Sequence, residues 1–362
     1  MPESLYHNPE LKFNREIPEG KTTWQSPSNI ALVKYWGKRD VQIPMNPSVS
    51  FTLEKSFTET TVEYAPAARG FDLTFYFDGE RNKTFEEKTK KFFQSLSPIF
   101  PFINQLSFKI HSQNSFPHSA GIASSASGMS ALALALCDLE QTHFNTLADT
   151  ESFYRKASYI ARLGSGSAAR SVYGGLVLWG ETEYVEGSSN LYGKDISSLV
   201  NDRFLQYNDT ILLVDASSKK VSSRAGHALM KTNDYASTRF RQAHQNIGKI
   251  LKIMQSDNLE NFIRLVESEA LTLHAMMMTS LPYYLLLKPN TLQIIDKIFE
   301  FRQDTQTPVC FTLDAGPNVH LLYPKYAEEA VHGFIDNSLK PYLSEKGLIH
   351  DRVGTGPKKI SR

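Results

Sequence analysis

Apolar positions along the chain change their period several times, and each change predicts an element. Ile30, Leu32 and Val33 predict a short strand, and Val49, Phe51 and Leu53 alternate with polar residues as a second. Alanines and leucines from Ala126 to Leu139 predict a helix. Phe153, Ala157, Ile160 and Ala161 fall at helical spacing within 151–163, and VYGGLVLW at 172–179 reads as a strand. A loop-rich stretch at 186–205 precedes DTILLVDASS, a strong strand signal. Helices then dominate: 237–254, 257–278 and 291–302 carry apolar residues three and four apart, and Asp257 with Glu260 has the form of a capping box. Met276, Met277 and Met278 read as helix filling, and His274 as structural. Val309–Leu313 and Val319–Tyr323 predict two strands split by the breakers of DAGPN. The first fourteen residues read as a polar, loosely held arm.

At 362 residues the chain exceeds the usual single core, and the change of character near residue 200 predicts two domains, 1–200 and 201–362. Lys and Arg number 39 against 38 acids, for a net charge of +1. That balance lacks the basic excess nucleic acid demands, so any phosphate affinity is local and the ligand small. Cys137 and Cys310 lie in apolar runs without metal-ligand spacing, as reduced cytosolic thiols do. No run of about 18 apolar residues predicts a membrane span, and MPESLYHNPELKFN lacks a secretory pattern. The expectation is a cytoplasmic enzyme with no membrane or nucleic-acid partner.

Four segments carry candidate chemistry. Asn114–Gly128 reads NSFPHSAGIASSASG, too poor in large apolar side chains for ordinary core. Gly121 would let the backbone approach an anion, Ser124 and Ser125 offer hydroxyls, and the following helix points its N-terminal amides at the loop. The same composition also suits a plain turn before a buried Ala-rich helix. Gly164–Ser171, GSGSAARS, adds Arg170, a planar fork suited to phosphate oxygens, to the hydroxyls of Ser165 and Ser167; a glycine-capped helix end with a surface arginine is the alternative. Near the N-terminus Asn29, Lys34, Tyr35, Lys38 and Asn46 crowd donors between two strands. Lys34, beside Tyr35 and Trp36, suits specific pairing, whereas a solvated hairpin with incidental lysines is the other reading. Asp314 ends a strand, where a carboxylate either caps a turn or is held rigidly as a base.

Taken together, NIALVKYWGKRD, NPSVSFTL, NSFPHSAGIASSASG, ARLGSGSAARS, KKVSSRAG and LDAGPN, in that order, resemble the mevalonate diphosphate decarboxylases of the GHMP kinase superfamily from Asn29 to Asn318. The resemblance implies an α+β, two-domain GHMP kinase-like fold. Its N-terminal domain would be like domain 2 of ribosomal protein S5, its C-terminal domain an α/β sandwich, and its active site the cleft between them. Carried over residue by residue, Asp314 is the catalytic aspartate and Lys34 its neighbour. Tyr35, Lys38, Ser165, Ser167, Arg170, Ser223 and Arg224 fall where the family holds the substrate. Asn114, Gly121, Ala123, Ser124, Ser125 and Lys219 fall at its ATP site, with Ser125 also a magnesium ligand. His118 and His227 depart from the family's usual threonine and methionine.

The activity so implied is ATP- and Mg²⁺-dependent decarboxylation of mevalonate 5-diphosphate to isopentenyl diphosphate, by a homodimer. ATP phosphorylates the tertiary C3 hydroxyl, whose proton Asp314 accepts or orients. The C3 phosphate departs, positive charge develops at C3, and carbon dioxide leaves the adjacent carboxymethyl group. A fixed carboxylate stabilises that charge, and Lys34 favours the ionised carboxylate. Three other classes share some of these features: a superfamily kinase that stops after phosphorylation, a non-catalytic relative, and an anion-binding module without chemistry. The Lys34–Asp314 combination argues against the kinase.

Overall fold

The computed structural model describes residues 5–117, 122–215 and 223–361, without the side chains of Ser223 and Arg224. Its strands are β1 (Gly20–Val33), β2 (Lys38–Arg39), β3 (Ile43–Pro44), β4 (Ser48–Pro66), β5 (Asp72–Phe77), β6 (Glu80–Arg81), β7 (Leu106–Asn114), β8 (Leu176–Trp179), β9 (Gly193–Asp195), β10 (Tyr207–Leu212), β11 (Cys310–Leu313), β12 (Val319–Pro324), β13 (Leu348–Arg352) and β14 (Lys358–Lys359). The helices are α1 (Lys83–Ser95), α2 (Ser124–Phe144), α3 (Thr150–Gly164), α4 (Ser223–Leu229), α5 (Ala236–Gln255), α6 (Leu259–Met278), α7 (Pro289–Thr305) and α8 (Glu328–Phe334).

Two sheets organise this α+β architecture. The larger runs β14-β1-β4-β7-β5-β6, with β8 on β4 and β9 on β8; its β5–β7 pair is parallel, joined across α1. The smaller is antiparallel, in order β11-β12-β10-β13. Period-two alternation sorts β4: Val49, Phe51 and Leu53 enter the core, while Ser48, Ser50 and Thr52 are buried on the opposite face. Register shifts between Pro27 and Asn29 and between Ala31 and Val33 break β1's alternation, as bulges do. They explain how Leu32 and Val33, consecutive in sequence, are both fully buried.

One core ties the two halves of the chain together. Ile30, Val49, Phe51 and Leu176 from the N-terminal half pack with Ile211, Ile247, Phe262, Val266, Cys310 and Leu322 from the C-terminal half. Each fully buried side chain of this kind contributes about 1.5–3 kcal/mol. The antiparallel sheet is covered on its other face too: Phe311, Leu313, Val319 and Leu321 meet Ile294, Ile298, Val331 and Phe334 of α7 and α8. Sheets buried on both faces leave their strand ends as the accessible places for polar chemistry.

Two local expectations are corrected. The described part of the N-terminal segment, from residue 5 on, is not loosely held, because Leu11 is buried in the first core. Tyr6, Phe13 and Ile17 pack against that core, and Gln105 bonds both the N–H and the carbonyl of Phe13 at 2.9 Å. Asp257 does not begin a capping box. Asn258 caps α6, its side chain accepting the Asn261 N–H at 3.0 Å, while Asp257 sits at φ 54° and pairs with Arg203 at 2.8 Å.

Candidate active site

The last residues of β1 and β11 lie side by side: Thr312 Oγ1 donates to the Ala31 carbonyl at 3.4 Å. The next residue to leave the first strand is Lys34, and the next to leave the second is Asp314. Lys34 Nζ stands 3.1 Å from Asp314 Oδ1. The lysine side chain is 2% exposed and the aspartate 30%, so the ammonium is inside and the carboxylate faces outward. Burial pulls the Lys34 pKa down, Asp314 and then Glu269 push it up, and Arg170 opposes them. His274, also buried, approaches the Asp314 carbonyl through Nε2 at 3.1 Å. The carbonyl can only accept, so Nε2 carries the proton and Nδ1, which has no partner among the described residues, carries none. Burial holds this imidazole neutral, with a pKa of about 4. His274 is therefore structural as expected, but its target is the backbone of the candidate catalytic residue.

Arg170 lies in the turn after α3, buried with its fork facing inward. Its Nε donates to Ser50 Oγ at 2.9 Å, one Nη to Ser48 Oγ, and the other to Asn29 Oδ1 at 3.2 Å. These contacts commit three of the guanidinium's five N–H donors. Asn29 is fixed in turn, donating to Ser171 Oγ at 2.8 Å and to the Ser167 carbonyl at 3.2 Å. The guanidinium carbon stands 5.8 Å from the Tyr35 ring centroid and 6.0 Å from that of Trp179. Burial lowers the Arg170 pKa to about 10 and raises that of Tyr35 to about 12. Tyr35 reaches its place because residue 166 is glycine: a Cβ there would stand 2.9 Å from Tyr35 Oη and 2.7 Å from Trp179.

The two small-residue loops meet. Ser125 Oγ is 3.4 Å from Ser165 Oγ. Ala123, at φ 38°, turns the chain into α2, so Ser124 and Ser125 begin a 21-residue helix whose amides and dipole favour an anion. Asn114 Oδ1 accepts from Thr58 Oγ1 at 2.8 Å, and Thr58 Oγ1 lies 2.6 Å from Ser127 Oγ. Among the described residues the buried Asn114 Nδ2 has no partner.

Lys38 lies on β2 and donates to Gln42 Oε1 at 2.8 Å. His227 on α4 is stacked on Tyr35, ring centroids 4.5 Å apart, and lies against Trp36 at 4.4 Å. Its Nδ1 accepts the Gly37 N–H at 3.0 Å, and burial depresses its pKa to about 3. His118, Gly121 and Lys219 lie outside the described residues, as do the side chains of Ser223 and Arg224. The structure thus pairs Lys34 with Asp314, Arg170 with the Tyr35 ring, and Ser125 with Ser165. The sequence reading missed Ser48 and Ser50, whose signal was the polar phase of the alternating β4 pattern. It also missed Glu269, Arg239 and Asn246, which bind Lys34 or one another.

Comparison with known proteins places the chain among relatives of one family along most of its length. Residues 26–190 match the diphosphomevalonate decarboxylase-like N-terminal domain, and residues 210–352 match the mevalonate 5-diphosphate decarboxylase C-terminal domain. The diphosphomevalonate decarboxylase of Saccharomyces cerevisiae is 30% identical over 325 residues, covering 86% of this chain and 79% of its own. The mevalonate diphosphate decarboxylase structure from Staphylococcus aureus has a TM-score of 0.81 at 28% identity, over 95% of this chain and 99% of that one. MDDEF in complex with MVAPP, AMPPCP and magnesium likewise gives 0.81 at 27% identity, over 95% and 100%. The chain belongs to the diphosphomevalonate decarboxylase family, and its α+β fold is that of the family's solved structures.

Proposed function

We propose that this protein converts mevalonate 5-diphosphate and ATP to isopentenyl diphosphate, ADP, inorganic phosphate and carbon dioxide. The observation that carries the reading is the Lys34–Asp314 pair, a buried ammonium 3.1 Å from a partly exposed carboxylate at the meeting point of two sheets. Asp314 takes or orients the C3 hydroxyl proton as phosphate is transferred, then faces the cationic character that develops at C3. Lys34 keeps that carboxylate ionised by its charge. Arg170, with N–H donors beyond those given to Ser48, Ser50 and Asn29, meets the substrate diphosphate together with Tyr35, Lys38, Ser165 and Ser167. Ser223 and Arg224 complete that set.

ATP binds at the N-terminus of α2, where Ser124 and Ser125 present amides and hydroxyls and the unpartnered Asn114 Nδ2 offers a donor. Gly121, Ala123 and Lys219 belong to the same phosphate site. Binding of MVAPP, AMPPCP and magnesium by the similar MDDEF supports both ligands and the metal. Among the described residues no group of three or more His, Cys, Asp or Glu side chains suits a metal. The Ser125 hydroxyl, an oxygen donor of the kind magnesium takes, would help to hold an ion brought in on the ATP phosphates. Such an ion would supply charge neutralisation at the transferring phosphoryl group.

The proposal extends to two domains, 1–200 and 201–362, that hold the site between them, and to a cytoplasmic homodimer. Two free, buried thiols suit a reducing compartment; among the described residues no helix is long and apolar enough to cross a membrane. The test is incubation with ATP, magnesium and mevalonate 5-diphosphate while ADP, phosphate and carbon dioxide are followed together. Equimolar release of all three is expected. ADP with a stable phosphorylated acid and no gas would instead establish a kinase.

A further inference from the structure

Lys34 is gripped through its backbone by groups the proposed chemistry does not use. Its N–H donates to Glu269 Oε2 at 2.9 Å. Its carbonyl accepts from Arg239 Nη2 at 3.0 Å and from Asn46 Nδ2 at 3.0 Å. Glu269 is fully buried, and Arg239 holds both of its oxygens, one of them at 2.9 Å. Asn246 Nδ2 adds a bond to Glu269 Oε1 at 2.6 Å. Arg239 and Asn246 come from α5, Glu269 from α6, and Asn46 from the turn before β4, so three separate parts of the chain converge on the two peptide groups that flank the Lys34 Cα.

Burying a glutamate and an arginine costs several kcal/mol per ion, and apolar residues of similar volume often fill such a place without loss of stability. The arrangement here does something apolar side chains cannot. Fixing the peptide groups on both sides of the Lys34 Cα fixes the direction of its Cα–Cβ bond. From that bond the side chain reaches Nζ to within 3.1 Å of Asp314. The carboxylate of Glu269 also adds negative charge where the ammonium has lost its water.

We propose that the Glu269–Arg239 pair is a positioning device for Lys34: it sets the direction in which the lysine leaves the backbone and supplies charge that opposes the penalty of its burial. The inference deepens the decarboxylase reading and rests on it. The charged and titratable groups facing Lys34 are Asp314 beyond β11, Glu269 and His274 on α6, Arg239 on α5, Arg170 after α3 and Asp209 on β10. Among the described residues Glu269 accepts the Lys34 N–H, and its replacement acts on the whole clamp because it also releases Arg239 and Asn246.

Glu269→Gln keeps the shape and one carbonyl oxygen and removes the charge. We expect kcat for ADP formation to fall about 10- to 100-fold, the loss typical of a misplaced reacting group, with the KM for ATP changed less than about threefold. The alkaline limb of the kcat–pH profile should move to lower pH, because Lys34 loses a group that favours its charged form. A merely structural role would lower thermal stability and the active fraction and leave the limb in place; that result overturns the proposal. If Glu269→Gln does not fold, the double variant Arg239→Met, Glu269→Met replaces the ion pair with apolar volume. It should show the same loss of kcat and the same shift, and wild-type values would overturn the proposal. Because ADP formation is common to a decarboxylase and a kinase, this comparison stands apart from the wild-type carbon dioxide assay that tests the underlying reading.

Discussion

Arg170→Lys keeps the positive charge and removes the planar fork, which makes it a sharp test of how the second loop works. In the wild type Nε and both Nη groups bond Ser50, Ser48 and Asn29. A lysine ammonium reaches at most one of those three acceptors from the same backbone position. Two charge-assisted hydrogen bonds are lost, each worth about 1.5–3 kcal/mol, in a site where the arginine is almost fully buried. Part of the loss falls on folding, since two of the three residues Ser48, Ser50 and Asn29 are left with unmatched polar atoms. The rest falls on the substrate: one charge-assisted bond to the diphosphate lost in the Michaelis complex is roughly 10- to 100-fold in KM. Steady-state kinetics with each substrate varied should show KM for mevalonate 5-diphosphate raised by that factor and KM for ATP near the wild-type value, because the proposed site gives ATP to the other loop. Ser50→Ala is the control: it should lower the melting temperature with a smaller change in KM. A KM for mevalonate 5-diphosphate within about threefold of wild type would remove Arg170 from the substrate site.

Two further outcomes follow from the site. His227 and His274 have folded-state pKa values pushed down to about 3 and about 4 by burial. The unfolded chain therefore takes up protons below about pH 6.5 that the folded chain refuses, and stability falls as pH falls through that window, by about 1.4 kcal/mol per pH unit for each histidine; denaturant unfolding between pH 7 and 5 should show His227→Gln with the shallower slope, and equal slopes would contradict the assignment. Gly166→Val would drive a branched side chain into Tyr35 and Trp179, where even a Cβ meets atoms at 2.9 and 2.7 Å; KM for mevalonate 5-diphosphate should rise more than KM for ATP, and an unchanged KM would show that Tyr35 does not line the substrate site.

Much of the site was legible because its parts carry unusual local composition. Gly and Ser in place of apolar residues marked both loops, and the structure places Ser125 and Ser165 within 3.4 Å of each other. Lys34 and Asp314, 280 positions apart, were joined only through the family resemblance, since nothing local to either residue encodes the meeting of β1 and β11. The Lys34 clamp was not legible at all. Glu269 and Arg239 sit on amphipathic helices where a charged residue ordinarily faces water, and only tertiary packing turns those positions inward. The N-terminal segment failed for the opposite reason: Leu11, Phe13 and Ile17 follow no helical or strand period, so their burial in the first core leaves no periodic trace. At α6 the capping-box pattern pointed to Asp257, but that residue takes a left-handed turn and Asn258, one position later, caps the helix.

The account turns on the Asp314 carboxylate acting on the substrate, and Asp314→Asn tests it most directly. The substitution preserves shape and removes both basicity and negative charge next to Lys34 Nζ, 3.1 Å away. General acid–base roles are worth roughly 10²–10⁴-fold, and loss of the charge facing C3 adds to that, so kcat should fall near the upper end of the range or beyond. KM for both substrates should change far less, with the melting temperature as the control for folding. Lys34→Ala should also slow the reaction, and in the double variant the two losses should not add, because the residues act as one unit. A folded Asp314→Asn protein retaining more than about a tenth of wild-type kcat, a smaller loss than general-base catalysis carries, would contradict the mechanism.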